Sequence, residues 1–457
     1  MFKILKNAWT IPELRKKLLF TFFVILVFRI GSAIPVPFMD INVLKATLDT
    51  LTQQDPGTLV SYLNTLSGGA FANATLFAMS VTPYINASII MQLLTVAIPA
   101  LERLSKEGEE GRKKIAQYTR YATVILGLIQ GFAFYMFLRN SECTVQGSQY
   151  YGMKVMTQFD GAFTNIYVGI FITLVFTAGS ALMMWLGEQI NQKGIGNGIS
   201  ILLFAGIVSQ GPQIFTQLYV WFMRGLMGET KYLFFVPLML VVFLGVIGFI
   251  VFMNNAERRI PIQYAKRVVG RKMYGGQSTH IPIKVNMSGV MPIIFASSIL
   301  SIPGTIKLFV YGSEVTQAEK NSFWYKALNI FSATDHAWLY CIIFFILIIL
   351  FAYFYVTIQY NPIEMANNLR KNSGTVPGIR PGKATADFIG KIISRITLIG
   401  ALFLSVIAIL PIVLGAVFKE PIGMSGTSIL IMVGVALETV QQIESQMLMR
   451  HYKGFLE

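Results

Sequence analysis

The chain has 457 residues, of which 54% are hydrophobic and only 13% charged, and its mean hydropathy is +0.59. A soluble domain carries about 25% charged residues, so the water-facing surface needed to cover this much apolar material is missing, and a soluble globule is excluded. The net charge of +15 is confined to a small polar fraction.

The apolar residues come in runs of about twenty, the length that spans a bilayer as a helix, without the alternation of barrel strands. Cys341–Ala352 is apolar on every face. Backbone groups in a bilayer must pair internally, so these runs predict helices. Ten spans are predicted in chain order: 18–38, 75–98, 118–138, 163–186, 196–216, 232–253, 287–310, 338–358, 392–417 and 426–447.

The first span follows Lys16 and Lys17, as a signal peptide would. Arg29, Pro35, Pro37 and the lack of a small-residue cleavage site make it a retained helix instead. With the N-terminus cytoplasmic, 27 of the 37 Lys and Arg residues fall in one class of loops, namely 3–17, 103–120, Lys193, 258–284, 370–395 and 450–453. Basic loops stay cytoplasmic, so both termini are expected there. The fifth span is diluted by Gly194, Gly196, Gly198, Gly206 and Gly211, but dropping it would put the two most basic later loops outside.

The second span contains Val81-Thr-Pro-Tyr-Ile-Asn-Ala-Ser-Ile-Ile90, and the seventh contains Val290-Met-Pro-Ile-Ile-Phe-Ala-Ser-Ser-Ile299. Both fit V-x-P-x-I-x-A-S-x-I. Chance is one reading, because these residue types are common in membrane helices. The favoured reading is a repeat of five spans, whose odd number inverts the second half and frames a pathway between the halves. Each proline is expected to free a carbonyl and bend its helix.

Thr58–Thr75 has helical spacing of Leu59, Leu63, Leu66 and Phe71 but is rich in Asn, Ser and Gly. It predicts either a short mobile helix tucked into the bundle, hinged at Gly68-Gly69, or an amphipathic helix lying on the outer surface.

Ion-coupled transporters keep charge in mid-membrane. Here only Arg29, Glu188, Glu438 and Glu444 lie in or near spans, and snorkelling or structural pairing is favoured for them. His280, His336 and His451 are scattered, Cys143 and Cys341 read as two unpaired thiols, and no catalytic signature occurs. Gly194, Gly196 and Gly198 follow a membrane helix rather than a strand and read as a tight turn. No cofactor or metal is expected, and the chain is not expected to be an enzyme. Any energy source belongs to a partner.

Two long loops remain. Residues 254–286 read as an extended hairpin with a cationic tip, carrying Arg259, Lys266, Arg267, Arg271 and Lys272; residues 361–391 carry Arg370, Lys371 and Arg380. Orientation alone needs only short loops. Thirty-odd residues shaped by Pro and Gly suggest a docking platform for an RNA backbone or an acidic protein face; contact with anionic lipid is the plainer alternative.

The chain resembles the SecY/Sec61-alpha family, the channel-forming subunits of the Sec protein translocase. The resemblance covers nearly the whole length. It is carried by Ser67-Gly-Gly69, Pro83-Tyr-Ile-Asn-Ala-Ser88, Gly187-Glu-Gln-Ile-Asn-Gln-Lys-Gly-Ile-Gly-Asn-Gly-Ile-Ser200, Tyr264-Ala-Lys-Arg267, Gln277-Ser-Thr-His280, Lys284-Val-Asn-Met287, Asn361-Pro, Ala366-Asn-Asn-Leu369 and Pro377-Gly-Ile-Arg-Pro-Gly382.

The resemblance implies an all-α membrane protein of ten transmembrane helices in two inverted five-helix halves around an hourglass pore. The expected organisation is a cytoplasmic N-terminal segment 1–17, a first half 18–216, an external hinge loop 217–231, a second half 232–447 and a cytoplasmic tail 448–457. A short plug helix is implied at 59–73, with Leu63, Ser67, Gly68, Gly69 and Phe71. The pore ring is implied at Val81, Ile85, Ile199, Leu203, Met291 and Ile431; Val81, Leu203 and Met291 depart from the family's usual isoleucine but stay apolar. The lateral gate is implied at Pro83, Asn86, Ser88 and Pro292.

The function so implied is a protein-conducting channel that moves signal-sequence-bearing polypeptides across the bacterial plasma membrane and releases hydrophobic segments into lipid. The partners so implied are SecE, SecG, the SecA motor ATPase, the ribosome with its rRNA, signal peptides and nascent chains. A solute transporter, likewise built from inverted repeats, is the competing class; it predicts a polar mid-membrane site and ion coupling. A membrane-bound enzyme is a third, without a catalytic constellation to support it.

Overall fold

A computed structural model describes residues 2–54, 64, 67–141, 143, 150–157, 162–264, 267–269, 272–274, 278–311, 322–331, 337–418 and 426–453. The protein is helical in its membrane part. The helices are α1 (Phe2–Thr10), α2 (Pro12–Gly31), α3 (Ile41–Gln54), α4 (Thr82–Ala97), α5 (Pro99–Lys106), α6 (Glu109–Asn140), α7 (Ala162–Lys193), α8 (Gly198–Ser209), α9 (Gly211–Leu226) and α10 (Thr230–Asn255). They continue with α11 (Met291–Tyr311), α12 (Phe323–Asn329), α13 (Ala337–Gln359), α14 (Pro362–Lys371), α15 (Lys383–Phe418) and α16 (Gly426–Lys453).

Each predicted span is occupied by one of these helices, the fifth by α8 and α9 together. Seven described segments are long and apolar enough to cross a membrane. An eighth span is α4, which turns through 101° into α5 at Ile98. α2 falls outside that count because Arg15, Lys16, Lys17 and Arg29 stand near its ends. In α11 the apolar part is the shorter Met291–Leu300. The lipid face is plain on α10, where Phe234, Val241, Leu244 and Phe252 are all exposed, an arrangement that only an apolar solvent tolerates on this scale. The chain is a multi-pass membrane protein.

The two halves repeat one packing pattern. In the first, α4 packs on α6, α6 on α7 and α7 on α8; in the second, α11 packs on α13, α13 on α15 and α15 on α16. α2 contacts α7 and α8, and α10 correspondingly contacts α16, with Phe249 edge-on to Phe403 of α15. The halves meet where α8 packs on α16 and α9 on α10, and at a separate seam where α6 touches α11. Close to the first junction lies an apolar cavity of about 810 Å³ between α8, α9, α10 and the ends of α15 and α16.

Two expectations change. The second and seventh spans begin deeper than predicted, at Thr82 and Met291, and Pro83 and Pro292 are the second residues of α4 and α11. They start these helices rather than bend them, because a first-turn N–H needs no partner and proline's fixed φ suits that position. Next, Gly211–Leu226 is helix, so the hinge loop expected at 217–231 shrinks to the residues between α9 and α10. Trp221 explains this: it is buried against Tyr232 and Phe235 and folds α9 back onto α10. Of the expected plug helix at 59–73, Asn64 is helical and residues 67–73 run as turns, with Gly68 at φ +67° and Gly69 at φ +85°; the rest lies outside the described residues. Leu63 lies outside the described residues.

The basic ends of the helices share one side. Ala8, Leu14, Ile195 and Ile443 form a small core there, and the Ile195 N–H donates to the Thr21 hydroxyl at 3.1 Å. On the opposite side, Pro35 bridges Thr75 and Met39 bridges Met156, above a core that includes Leu44, Phe71, Phe134 and Phe176.

Candidate functional site: an apolar constriction, its covering segment and a basic platform

The six residues expected to form the pore ring lie on or beside four helices. Val81 immediately precedes α4 and Ile85 lies one turn into it, its N–H donating to the Val81 carbonyl at 3.0 Å. Ile199 and Leu203 are one turn apart on α8, Met291 opens α11, and Ile431 sits near the start of α16. All six belong to one apolar cluster: Val81, Ile85, Leu203 and Ile431 are buried in it, and Ile199 and Met291 pack against it half-buried. The helix starts bring them together, because α4 and α11 begin within the bundle.

Thr82 is a residue that pattern reading missed. Its hydroxyl is buried beside the ring with no hydrogen-bond partner among the described residues. A lone threonine in an apolar run gives no sequence signal of such isolation.

In the segment leading into the ring, Ser67, Ala70 and Phe71 are buried. The Ser67 hydroxyl accepts the Phe71 N–H at 3.0 Å, and the Asn64 side-chain oxygen accepts the Ala72 N–H at 3.1 Å, which shapes the turns of 67–73. The end of α8 holds the segment: Gln210 donates to the Asn64 carbonyl at 2.7 Å, and the Ser209 hydroxyl, bonded to the Gly206 carbonyl at 2.6 Å, lies 3.2 Å from the Gly68 carbonyl. Phe71 rests on Phe134 with ring centroids 4.4 Å apart. Net hydrogen bonds contribute about 0.5–1.5 kcal/mol each and an aromatic pair about as much. These polar and ring contacts contribute on the order of a few kcal/mol beyond the burial of Phe71 itself.

Of the four gate candidates, Pro83 and Pro292 are buried, and Asn86 and Ser88 are half-buried on α4. Arg120 on α6 pairs with Glu188 on α7 at 2.7 Å. Glu188 is thus the structural pair expected of it.

The two long loops are one object. Strands β1 (Glu257–Tyr264) and β4 (Ser278–Lys284) form the expected antiparallel hairpin, from Glu257 opposite Lys284 to Gln263 opposite Ser278. A second small ladder, β2 (Arg267–Val269) with β3 (Lys272–Tyr274), extends it. The loop after α14 adds β5 (Gly374–Thr375), pairing with Gln263 and Tyr264 on the free edge of β1. Ile260, Ile262, Ile283, Leu369 and Val376 are buried beneath, together with Ile389 and Ile393 of α15.

Arg259, Arg370, Lys371 and Arg380 are exposed on this platform. Arg259 pairs with Glu257 at 2.7 Å, a surface contact worth about 0–1 kcal/mol that leaves it free to exchange partners. Arg380 stands between Gly378 at φ +79° and Gly382 at φ +104°. Its carbonyl accepts from Thr385 at 2.9 Å, which fixes the backbone while the side chain points away from the core. Lys266 and Arg271 lie outside the described residues, and Arg267 and Lys272 are placed as strand residues only. Further along the basic side, the Lys106 ammonium hydrogen-bonds Glu102 at 2.6 Å and holds that carboxyl below the usual carboxylate range. No group of three or more His, Cys, Asp or Glu able to hold a metal occurs among the described residues.

The sequence profile of the SecY family matches residues 75–440. The chain is 41% identical to the protein translocase subunit SecY of Corynebacterium glutamicum, covering 99% of each chain. It is 43% identical to that of Halalkalibacterium halodurans, covering 100% of both. Among solved structures, one described as a protein conducting channel superposes with a TM-score of 0.63 at 20% identity, covering 94% of this chain and 92% of that one. Sec61 in a canine ribosome-channel complex superposes with a TM-score of 0.59 at 19% identity over the same shares. The ten-span bundle with a repeated half is therefore a fold already seen in channels, and the chain belongs to the SecY family.

Proposed function

We propose that this chain is the protein-conducting channel of a Sec translocase, which moves signal-sequence-bearing polypeptides across the membrane and releases hydrophobic segments sideways into the bilayer. One observation supports the reading: the six apolar side chains, from the starts of α4, α8, α11 and α16, belong to one apolar cluster shared by both half-bundles. An apolar constriction dewets and stops ions. Flexible aliphatic groups also let any residue type pass without holding it, as a channel for varied sequences requires.

In this reading the segment through Ser67, Gly68, Gly69 and Phe71 covers the ring and is displaced in use. The α6–α11 seam, with Pro83, Asn86, Ser88 and Pro292 on the helices beside it, parts to let an apolar segment reach lipid. Partition of such a segment is favoured by on the order of several kcal/mol. The basic platform is the dock, facing the cytoplasm with both termini in a bacterial plasma membrane. Its exposed cations suit rRNA phosphates of a ribosome or an acidic face of the SecA motor, and SecE and SecG complete the assembly. The chain itself supplies a path and no catalytic step.

Vesicles holding the purified chain with SecE, supplied with SecA and ATP, are expected to import a secretory precursor. No import while the motor hydrolyses ATP would sink the proposal. Arg380→Glu is expected to abolish import while leaving channel assembly intact; normal import by that variant would remove Arg380 from the dock.

A further inference from the structure

A groove of about 310 Å³ lies between α6 and α7 on the outside of the bundle. Phe132, Ile166, Ile170 and Leu174 line it, and each is more than half exposed. Its rim carries Arg139 beside Asn165. Gly169 shapes the floor. A Cβ there would stand 2.8 Å from the Tyr135 ring, so glycine is what lets that ring lie across the trough. The Tyr135 hydroxyl then donates to the Asn165 carbonyl at 3.4 Å.

Depth identifies the solvent of each end. From Arg120 to Arg139 the helix rises about 28 Å, close to the roughly 30 Å of bilayer hydrocarbon. Arg120 is neutralised by Glu188. Arg139 makes no ion pair among the described residues and stands at headgroup level, on the side away from the basic platform. A cation at headgroup depth, above an apolar trough that runs down into the hydrocarbon, matches the two ends of a phospholipid.

We propose that this groove holds one phospholipid of the leaflet opposite the basic loops, with its phosphate on the Arg139 guanidinium and one acyl chain in the trough. A single methylene chain fits a trough of this volume, and an anionic headgroup fits the cation at its rim. The placement has a consequence for the bundle. α6 also meets the second half at α11, so the lipid seats on a helix that forms one side of that seam.

The test uses the full chain reconstituted in phosphatidylcholine vesicles containing phosphatidylglycerol with a photoactivatable acyl chain. Illumination is expected to concentrate the label on residues 128–139 and 165–174. Arg139→Gln should lower that labelling about fivefold, the worth of one cation at an anionic surface. Ile166→Trp, which fills the trough from an exposed position, should remove most of it. Excess inorganic phosphate should change nothing. The proposal falls if the label spreads evenly over all lipid-facing helices, if either variant labels like the parent, if inorganic phosphate displaces the lipid, or if a protein partner is cross-linked in the groove in its place.

Discussion

Val81 occupies a joint. Before it the chain runs through turns that include Ala74 at φ +44° and Ser80 at φ +50°; after it α4 begins. Two contacts hold those turns in place. Thr75 bridges Pro35, and Gly179 of α7 lies against the Leu76 carbonyl so closely that an added Cβ would overlap it. Substitution at 179 therefore has to move the backbone that aims Val81. Gly179→Val is expected to cost on the order of 1–3 kcal/mol, the usual range for overpacking, and to lower the melting temperature of the purified chain in detergent; an unchanged melting temperature would refute the tight approach. Val81→Asp tests the ring itself. A carboxylate wets the constriction, so resting ion conductance across a planar bilayer should rise, and a parental conductance would mean that Val81 does not line the seal.

At the scale of elements, the apolar runs made the helices legible and the proline echo marked the two helix starts at Thr82 and Met291. Legibility stopped where tertiary contacts overrule local preference. Residues 74–81 read Ala-Thr-Leu-Phe-Ala-Met-Ser-Val, an acceptable helix by composition, but the bridge to Pro35 and the fit against Gly179 hold them as turns. Trp221 turned an expected loop into helix in the same way. The union of the two basic loops left no trace in sequence, because β5 is only two residues long and its partner strand lies in another loop. That union is testable. Thr375→Pro removes a backbone donor from β5, where Thr375 lies opposite Gln263 and its hydroxyl also donates to the Gln263 carbonyl. Amide exchange at Gln263 and Tyr264 should quicken, and motor-driven import should fall although Arg380 is untouched. Unchanged exchange would show that the loops move independently.

For the whole molecule, charge placement and packing agree on sidedness. Single cysteines replacing Arg259 or Arg370 should react with a membrane-impermeant thiol reagent only from the cytoplasmic side, and one replacing Lys154 only from the other. Native Cys143 and Cys341 are buried and should stay silent. Labelling of Arg259 and Lys154 positions from one side would overturn the ten-span arrangement. The helix starts at Thr82 and Met291 carry one more implication. A helix N-terminus bears about half a positive elementary charge, and water that would screen it is scarce beside an apolar ring. In the proposed channel two such ends lie beside the ring, at Thr82 and Met291. A ring set between them, as proposed, is electropositive without a single ionised side chain, which disfavours the passage of cations.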